Sequence, residues 1–219
     1  MTMSVMIAIV VAQQRNRKMQ DKLNYDVLTG LPNRQFLMTY LPEIADISIK
    51  KNIPFALLLI DLDNFKKVND GARHDAGDEL LRHVAVYLGN VHENSKSFRP
   101  PPGALNVSAR IGGDEFVQIV LGAGTEDEAD MAAKKVLDNF SSPSINRYIE
   151  NYQVGLSIGA ALFPYHAENF KVLIKYADIA MYHAKNSGKN TCRICNDEMN
   201  RETPENPNAN PPNRRQYRN

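Results

Sequence analysis

Two aspartates at the end of an apolar run have the type and spacing to bind a divalent cation. Asp61 and Asp63 follow directly on residues 55–60, FALLLI, a continuous apolar run typical of a strand covered on both faces. Because successive strand residues point to opposite faces, both carboxylates would lie on one face, with the Leu62 carbonyl between them. Carboxylate and carbonyl oxygens suit a hard cation. Two solvated turn aspartates would have the same sequence, so the motif alone leaves both interpretations open.

A second acidic pair lies in the turn of a predicted β-hairpin. Residues 112–115, Gly-Gly-Asp-Glu, separate two short apolar runs at 107–111 and 116–121. The glycines supply the positive φ angles of a tight turn and let the backbone approach a ligand and its phosphates closely. The acidic side chains could hold a cation across from Asp61, although the segment is also an ordinary hairpin turn. Together the two acidic pairs are typical of phosphoryl- and nucleotidyl-transfer sites, where cations activate a hydroxyl and neutralise phosphate charge.

Five further residues could contact a nucleotide. Lys66 falls close in sequence to the aspartate pair and could contact phosphates, although it could equally be a surface lysine. Asn69 and Asp78 are types that read a guanine edge, because an amide can address O6 or N3 and a carboxylate can accept from N1–H and the exocyclic amine. Asp78 also stands where the N-cap of the following helix belongs. Lys185 and Lys189 lie around a predicted helix C-terminus, where cations are favourable whatever the function.

The apolar pattern predicts the helices and strands that must position these residues. Apolar residues recur at helical spacing in the first helix, and Thr125 with Glu128 forms a capping box at the start of another. The order, roughly α-β-α-α-β-β-α-β-α-β, predicts an α/β (α+β) fold with a central mixed, largely antiparallel sheet flanked by helices. The helices with predicted bounds cover residues 33–51, 78–91, about 125–140 and 170–186, and the strands cover 55–60, 107–111, 116–121, 153–163 and 191–195.

Length and charge limit the classes of function. The 219 residues suit one domain with extensions: 1–25 as an apolar N-terminus and helical stalk, 26–197 as the domain, and 198–219 as a disordered tail. The 26 basic and 25 acidic residues give a net charge of +1. A general polynucleotide binder usually shows a basic excess, so we expect no nucleic acid polymer as a partner.

The apolar run at residues 5–12 has two interpretations. It is too short for a spanning helix, which needs roughly 20 residues, and no positive charge precedes it as in a secretory signal. The basic cluster at residues 15–18 follows the run, as it would just inside a membrane. The run is either the tail of a transmembrane helix that anchors the domain on the cytoplasmic side of the inner membrane, or the apolar start of a long helix.

Cys192 and Cys195 form a CxxC pair near the end of the chain. A zinc site would need two more ligands nearby, and none is suitably spaced. We therefore expect two structural residues of a protein in a reducing, cytoplasmic compartment.

These motifs, in this order, closely resemble the GGDEF family of diguanylate cyclases, which condense two GTP molecules into cyclic di-GMP. The resemblance extends from Asp26 to Asn190 and implies a palm-like fold of the nucleotidyl-cyclase type. The matching segments are 26–34 (DVLTGLPNR), 61–66 (DLDNFK), 69–70 with 74–78, 110–116 (RIGGDEF), 157–159 (SIG), and 177–182 with 184–190.

The resemblance implies roles for the acidic residues and for one lysine. Asp61, the Leu62 carbonyl and Asp114 would bind Mg²⁺, which Mn²⁺ could replace. Asp114 would also lie near the 3′-hydroxyl that is activated, and Glu115 would help with a second cation. Lys66 would stabilise charge that develops in the transition state. The implied catalytic set is therefore Asp114, Glu115 and Lys66.

The resemblance also implies how GTP binds and why two chains are needed. Each domain of the family holds one GTP, so the active enzyme is a transient antiparallel pair in which one 3′-hydroxyl attacks the partner's α-phosphate. The stalk at residues 13–25 is the natural element to control this self-association. The residues expected to bind substrate are Asn69 and Asp78 for guanine, Lys185 and Lys189, with Lys66, for phosphates, and Gly112 and Gly113 for the turn that lines the nucleotide.

Two departures from the family pattern concern the guanine loop and product inhibition. Arg73 stands where the family has a glycine before its histidine. Gly103 and Asn106 occupy the positions of the arginine and aspartate of an RxxD product-inhibition site, so we expect no standard site, although Arg99 could contact nucleotide in another way. Two rival interpretations are a catalytically inactive GGDEF domain that acts as a GTP-binding regulatory module, and another palm-type nucleotidyl transferase or cyclase.

Overall fold

The computed structural model describes residues 23–71, 75–90, 107–196 and 198–199. The predicted N-terminal run, most of the stalk, the Pro-rich loop around Arg99, Arg73 and nearly all of the tail lie outside these residues. The helices are α1 (Arg34–Lys51), α2 (Phe65–Gly71), α3 (Ala76–Asn90), α4 (Glu126–Asp138), α5 (Pro143–Tyr152) and α6 (Phe170–Asn186). The strands are β1 (Phe55–Asp63), β2 (Val107–Gly112), β3 (Glu115–Leu121), β4 (Gly155–Phe163) and β5 (Thr191–Ile194).

The strands form one five-stranded sheet in the order β2-β3-β1-β4-β5. Every pairing is antiparallel except that of β4 with β5, which is parallel. The prediction of a mixed, largely antiparallel sheet is therefore confirmed. Strands β1 and β4 are central and buried at every residue, as the continuous apolar run predicted for β1. The strand β1 extends to Asp63 and so includes the aspartate pair.

Alternate residues of β1 face two separate cores. Leu58 and Ile60 pack with apolar residues of α3, α4 and α5, whereas Leu57 and Leu59 pack with those of α1 and α6. This period of two follows from strand geometry. Continued to the end of β1, it directs Asp61 and Asp63 to the face that carries α6, the helix of Lys185.

Helix α6 lies unusually close to β4 at Gly159. A Cβ atom at this position would lie 2.0 Å from the backbone oxygen of Ala177 and 2.2 Å from the backbone nitrogen of Met181. Only a residue without a side chain permits this approach. Gly159 therefore sets the distance between α6 and the sheet, and with it the position of Lys185 relative to β1.

Helix α5 was not predicted, although its ends carry recognisable signals. The Ser142 side chain accepts a hydrogen bond from the Ile145 amide at 3.3 Å, and Pro143 occupies the first turn, where a missing N–H costs nothing. Gln153 ends the helix with a φ of 56°, in the left-handed region. The strand predicted from residue 153 consequently begins at Gly155.

Other predicted helix boundaries are partly corrected. Helix α3 begins at Ala76, so Asp78 lies inside the first turn and is not the N-cap. The capping box at Thr125 is confirmed, because its side chain accepts from the Glu128 amide and the Glu128 carboxylate accepts from the Thr125 amide. The two consecutive helices between the first two strands are also confirmed, as α2 and α3.

Cys192 and Cys195 are both free and buried. Burial raises the pKa of the Cys192 thiol to about 12, so it stays protonated at neutral pH and packs as an apolar residue. Within the described ranges, no helix has the length and apolar character that crossing a membrane requires.

Candidate active site

The pairing of β1 with β3 brings the two acidic motifs together. Asp61 lies directly opposite Glu115 in the antiparallel register, and the Leu62 amide donates a hydrogen bond to the Asp114 carbonyl at 3.3 Å. Asp61 is 6% exposed, and the side chains of the turn are partly buried. Three carboxylates separated by about fifty residues in sequence therefore lie at one edge of the sheet. We call Asp61, Asp114 and Glu115 the acidic edge.

Burial and mutual repulsion raise the pKa values of the acidic edge. Burial raises the pKa of Asp61 to about 6, with a further increase from the charge of Asp114, while Lys185 opposes the shift. Burial likewise raises the pKa of Glu115 to about 7, and the charges of Asp61, Asp178 and Asp114 add to it. Carboxylates crowded in this way ionise together only when positive charge compensates them.

One oxygen of the acidic edge lacks a partner. Glu115 Oε2 is buried, and no hydrogen-bond donor contacts it in the part of the chain that the structure describes. A buried acceptor without a donor costs free energy unless a ligand satisfies it. The described residues do not by themselves form a closed cluster of three or more His, Cys, Asp or Glu ligands. The chemistry of the donors nevertheless fits a hard divalent cation, because carboxylates and the Leu62 carbonyl supply oxygen ligands beside an unsatisfied oxygen.

Lys185 contacts the acidic edge, and Lys189 lies at the same end of β1. Lys185 Nζ forms an ion pair with Asp61 Oδ2 at 2.7 Å, with the lysine side chain 35% exposed. Lys189 Nζ donates to Asn64 Oδ1 at 3.0 Å, immediately beyond the end of β1. Both ammonium groups are thus held at the same end of β1 as the carboxylates, where they could contact an anionic ligand.

Asp63 has a different environment from Asp61. Its Oδ1 accepts a hydrogen bond from Ser157 Oγ at 2.7 Å, and its Oδ2 accepts from the Asn190 amide at 2.8 Å. Asn190 has a φ of 43°, which aims its N–H at the carboxylate. Both oxygens of Asp63 are therefore satisfied within the fold, and the residue fastens the loop after α6 to β1.

An arginine holds the Gly-Gly-Asp-Glu turn in place. Arg110 donates from Nε and Nη2 to the Gly113 carbonyl at 3.0 and 2.7 Å, and from Nη1 to Asp26 Oδ1 at 2.8 Å. Gly113 has a φ of 50° and is exposed, and Gly112 is partly exposed; their predicted role in lining a nucleotide stays a prediction. Burial alone would raise the pKa of Asp26, but hydrogen bonds from Thr29 and Arg110 outweigh it and lower that pKa.

The predicted guanine-binding residues lie where α2 meets α3. Asn69 and Asp78 are both exposed. The Asn69 amide rests directly on Gly77, where a Cβ atom would lie 1.9 Å from Asn69 Oδ1. Asn69 therefore reaches the first turn of α3, which carries Asp78. Lys66 is exposed in the first turn of α2, three residues after Asp63.

Several residues that shape the site received no role from the sequence. Asp26 and Arg110 belong to matching segments, but their ion pair joins residues 84 positions apart. Asp178 lies two turns before Lys185 on α6, a spacing that places both on one helix face. Asn64 has a φ of 61° directly after the aspartate pair, a turn position that asparagine tolerates.

Comparison with known proteins shows what the chain is similar to. The family described as "Diguanylate cyclase, GGDEF domain" matches residues 23–191. Diguanylate cyclase DosC of Shigella sonnei is 37% identical over 176 residues, which cover 79% of this chain and 35% of that protein. The bifunctional diguanylate cyclase/cyclic di-GMP phosphodiesterase MucR of Pseudomonas aeruginosa is 36% identical over 186 residues, 84% of this chain and 25% of that protein. The chain thus spans about a third or less of these curated relatives.

Solved structures agree with the observed fold. The GGDEF domain of TpbB, also called YfiN, from Pseudomonas aeruginosa superposes with a TM-score of 0.68 at 29% sequence identity. The match covers 81% of this chain and 98% of that one. The mixed five-stranded sheet with helices on both faces is therefore the palm-like architecture of the nucleotidyl cyclases.

Proposed function

The chain belongs to the diguanylate cyclase family of GGDEF domains, and we propose that it condenses two GTP molecules into cyclic di-GMP with release of two pyrophosphates. Synthesis of cyclic di-GMP is the activity that the family supports. That this chain is itself an active enzyme, and works as a dimer, is our proposal.

The acidic edge is the observation that carries the proposal. The strand register aligns Asp61 with Glu115, Asp114 is adjacent, and Glu115 retains a buried oxygen without a donor among the described residues. All three carboxylates that the proposed reaction requires are present. The cost of crowding these charges is most simply explained by a cation that they bind for catalysis.

Magnesium fits the acidic edge, and manganese has the same preference for oxygen ligands. Asp61, the Leu62 carbonyl and Asp114 would hold the cation, and Glu115 would assist with a second. When bound, it would neutralise charge on the phosphates and lower the pKa of the attacking hydroxyl.

The chain's own residues would bind and orient GTP. Asn69 and Asp78 would hydrogen-bond the guanine edge, and Lys66, Lys185 and Lys189 would contact the phosphates through their ammonium groups. Lys185 already lies 2.7 Å from Asp61, so it could reach phosphate oxygens near the acidic edge. Gly112 and Gly113 would let the backbone of the turn approach the nucleotide closely.

The reaction needs a second chain. In each of two steps, a 3′-oxygen loses its proton and forms a bond to the α-phosphorus of the other GTP, while the bond from that phosphorus to the β-phosphate oxygen breaks and pyrophosphate leaves. Because each domain would bind one GTP, two domains must face each other in antiparallel orientation. Each domain then contributes one GMP unit to the product.

One assay tests the proposal and separates it from a GTP-binding regulatory module. The chain is incubated with GTP and Mg²⁺, and cyclic di-GMP is measured by chromatography, with Asp114→Asn as the matched variant. We expect product from the wild type and a loss of at least about 100-fold in the variant. Wild-type protein that binds GTP but forms no product, even when dimerised artificially, would favour the regulatory module.

A further inference from the structure

Helix α5 contacts the end of the helix that carries one of the proposed guanine-binding residues. Asn69 lies near the end of α2, and Gly71 is the last residue of that helix. The ring of Tyr152, at the end of α5, packs on Gly71, where a Cβ atom would lie 3.1 Å from the ring. Helix α5 therefore supports α2 at the turn of Asn69.

The same helix also contacts the start of α3, next to Asp78. Tyr148 Oη donates to Glu79 Oε2 at 3.1 Å, and Arg147 Nη2 forms an ion pair with Glu79 Oε1 at 2.7 Å. His83, one turn further along α3, faces the same carboxylate at 3.6 Å. Both oxygens of Glu79 are thus engaged, and hydrogen bonds from Arg147 and Tyr148 lower its pKa.

Tyr148 can hold the Glu79 carboxylate in one position because its own ring is fixed by packing. The residue is 3% exposed and packs in the core between the sheet and α3–α5. The Arg147 guanidinium lies 4.8 Å from the centre of that ring and also donates to Tyr148 Oη. A half-exposed carboxylate is thereby held by a buried ring and a stacked guanidinium, so Glu79 is far less free than an isolated surface residue.

The residue that follows α5 is linked through Asn64 to Lys189, one of the proposed phosphate-binding residues. The Gln153 carbonyl accepts from Asn64 Nδ2 at 2.8 Å, and Asn64 Oδ1 accepts from Lys189 Nζ at 3.0 Å. One helix without any side chain in the acidic edge therefore contacts both helices that carry proposed guanine-binding residues, and its end is linked to Lys189 through Asn64.

We propose that Tyr148 and Arg147 are positioning residues for guanine recognition, acting through Glu79 on the first turn of α3 and so on Asp78. The inference rests on the proposed binding of GTP and deepens it. Neither residue touches the nucleotide in this scheme. They fix the helix turn whose carboxylate accepts from guanine N1–H and from the exocyclic amine.

The test is nucleotide selectivity without turnover. Calorimetry measures binding of 3′-deoxy-GTP, which lacks the attacking hydroxyl, and of 3′-deoxy-ITP. The second nucleotide differs from the first only in lacking the exocyclic amine of guanine. We expect Tyr148→Phe to weaken binding of 3′-deoxy-GTP about threefold to tenfold, the range for loss of one net hydrogen bond. Binding of 3′-deoxy-ITP should weaken less, so the ratio of the two affinities should fall.

Tyr87→Phe is the matched control, because Tyr87 lies on α3, the helix of Asp78 and Glu79, but donates to the Val136 carbonyl of α4. It should leave the ratio of affinities unchanged. Glu79→Gln, at a half-exposed position, should lower the ratio as Tyr148→Phe does. An unchanged ratio in both Tyr148→Phe and Glu79→Gln, with normal binding by the wild type, would overturn the inference alone. Wild-type protein that binds no 3′-deoxy-GTP would overturn the proposed function as well.

Discussion

Asp61 and Asp63 lie two residues apart on the same face of one strand, are buried almost equally, and have opposite environments. Asp63 has a hydrogen-bond donor on each oxygen, from Ser157 and Asn190. Asp61 has one lysine and lies beside two further carboxylates. The fold satisfies one carboxylate completely and leaves the other in a site where negative charge accumulates.

The difference shows how a functional carboxylate can be distinguished from a structural one. Burial alone does not separate the two, since Asp61 is 6% and Asp63 is 3% exposed. What separates them is how fully the chain compensates the burial: Asp63 has a donor on each oxygen, whereas Lys185 offsets only part of the burial and repulsion at Asp61. An incompletely compensated charge reduces stability, and a fold retains such a charge at positions where a ligand provides the missing compensation. The comparison predicts opposite effects of removing the two charges.

Replacing Asp61 by Asn should have the largest effect on activity and little effect on folding. We expect formation of cyclic di-GMP to fall at least about 100-fold, because Asp61 is a proposed metal ligand and losing such a ligand costs more than losing a residue that only orients ligands. The melting temperature should stay the same or rise, since the substitution removes a charge from the acidic edge. A product assay and thermal unfolding without metal measure the two effects. A large loss of stability would contradict our assignment of Asp61.

Replacing Asp63 by Asn should act mainly on stability. The amide that replaces one oxygen either sets its NH₂ against the Asn190 N–H, donor against donor, or makes the Ser157 hydroxyl accept where it now donates. In both cases the two hydrogen bonds to a charged carboxylate are lost. We expect a loss of about 2–3 kcal/mol in the free energy of unfolding, the range for buried hydrogen bonds to a charged group. Chemical denaturation measures it, and the variant should retain its activity at temperatures where it is folded. Unchanged stability would show that the two donors do not hold Asp63 in solution.

The acidic edge should also make stability depend on pH in a characteristic direction. The pKa values of Asp61 and Glu115 are raised to about 6 and about 7 in the folded protein. Between about pH 4 and pH 7 these two carboxyls therefore bind more protons in the folded chain than in the unfolded chain, and their contribution to stability falls as pH rises. Without metal, the melting temperature of Glu115→Gln should decrease less over this window than that of the wild type.

Added Mg²⁺ provides the control for this pH effect. It should stabilise the wild type more at about pH 7.5 than at about pH 5, because a cation and protons compete for the same carboxylates. Glu115→Gln should show a smaller difference between the two pH values. If the increase in melting temperature caused by Mg²⁺ changed with pH equally in the wild type and in Glu115→Gln, that result would contradict the raised pKa of Glu115.

Local sequence patterns were sufficient to predict much of this fold and both acidic motifs. The apolar run of β1, the capping box at Thr125 and the Gly-Gly turn each depend on neighbouring residues, and each was predicted correctly. The sequence suggested that the acids of the turn could hold a cation across from Asp61, but the register that sets Asp61 opposite Glu115 came from the structure. The resemblance to a family added the roles, which residue type alone left open.

What was missed depends on contacts between distant residues or on a weak local signal. The role of Asp63 is set by Ser157 and Asn190, which are 94 and 127 positions away, and no spacing rule connects them. Helix α5 is only ten residues long, so it carries a single apolar repeat, with Ile145, Tyr148, Ile149 and Tyr152 at positions i, i+3, i+4 and i+7. Together with the Ser142-Pro143 start, that short repeat was the local signal from which the helix could have been predicted.

The smallest predicted effect concerns Gly77, whose lack of a side chain leaves room for Asn69, a proposed guanine-binding residue. An alanine there would favour the helix by up to about 1 kcal/mol, but its Cβ would lie 1.9 Å from Asn69 Oδ1 and 3.2 Å from the Phe65 ring. The Asn69 amide is the end of a flexible side chain, so it should move aside at little cost in stability. We expect the KM for GTP to rise about threefold to tenfold, as for one lost hydrogen bond, with kcat changed less.

A double-mutant cycle decides whether Gly77→Ala acts through Asn69. If it does, adding Gly77→Ala to Asn69→Ala should raise the KM no further, because the displaced amide is already absent. Additive effects would place the disturbance elsewhere in α3, for example at Asp78. Non-additive effects would instead show that Asn69, like Asp61, depends for its role on the space and contacts that the fold leaves around its side chain.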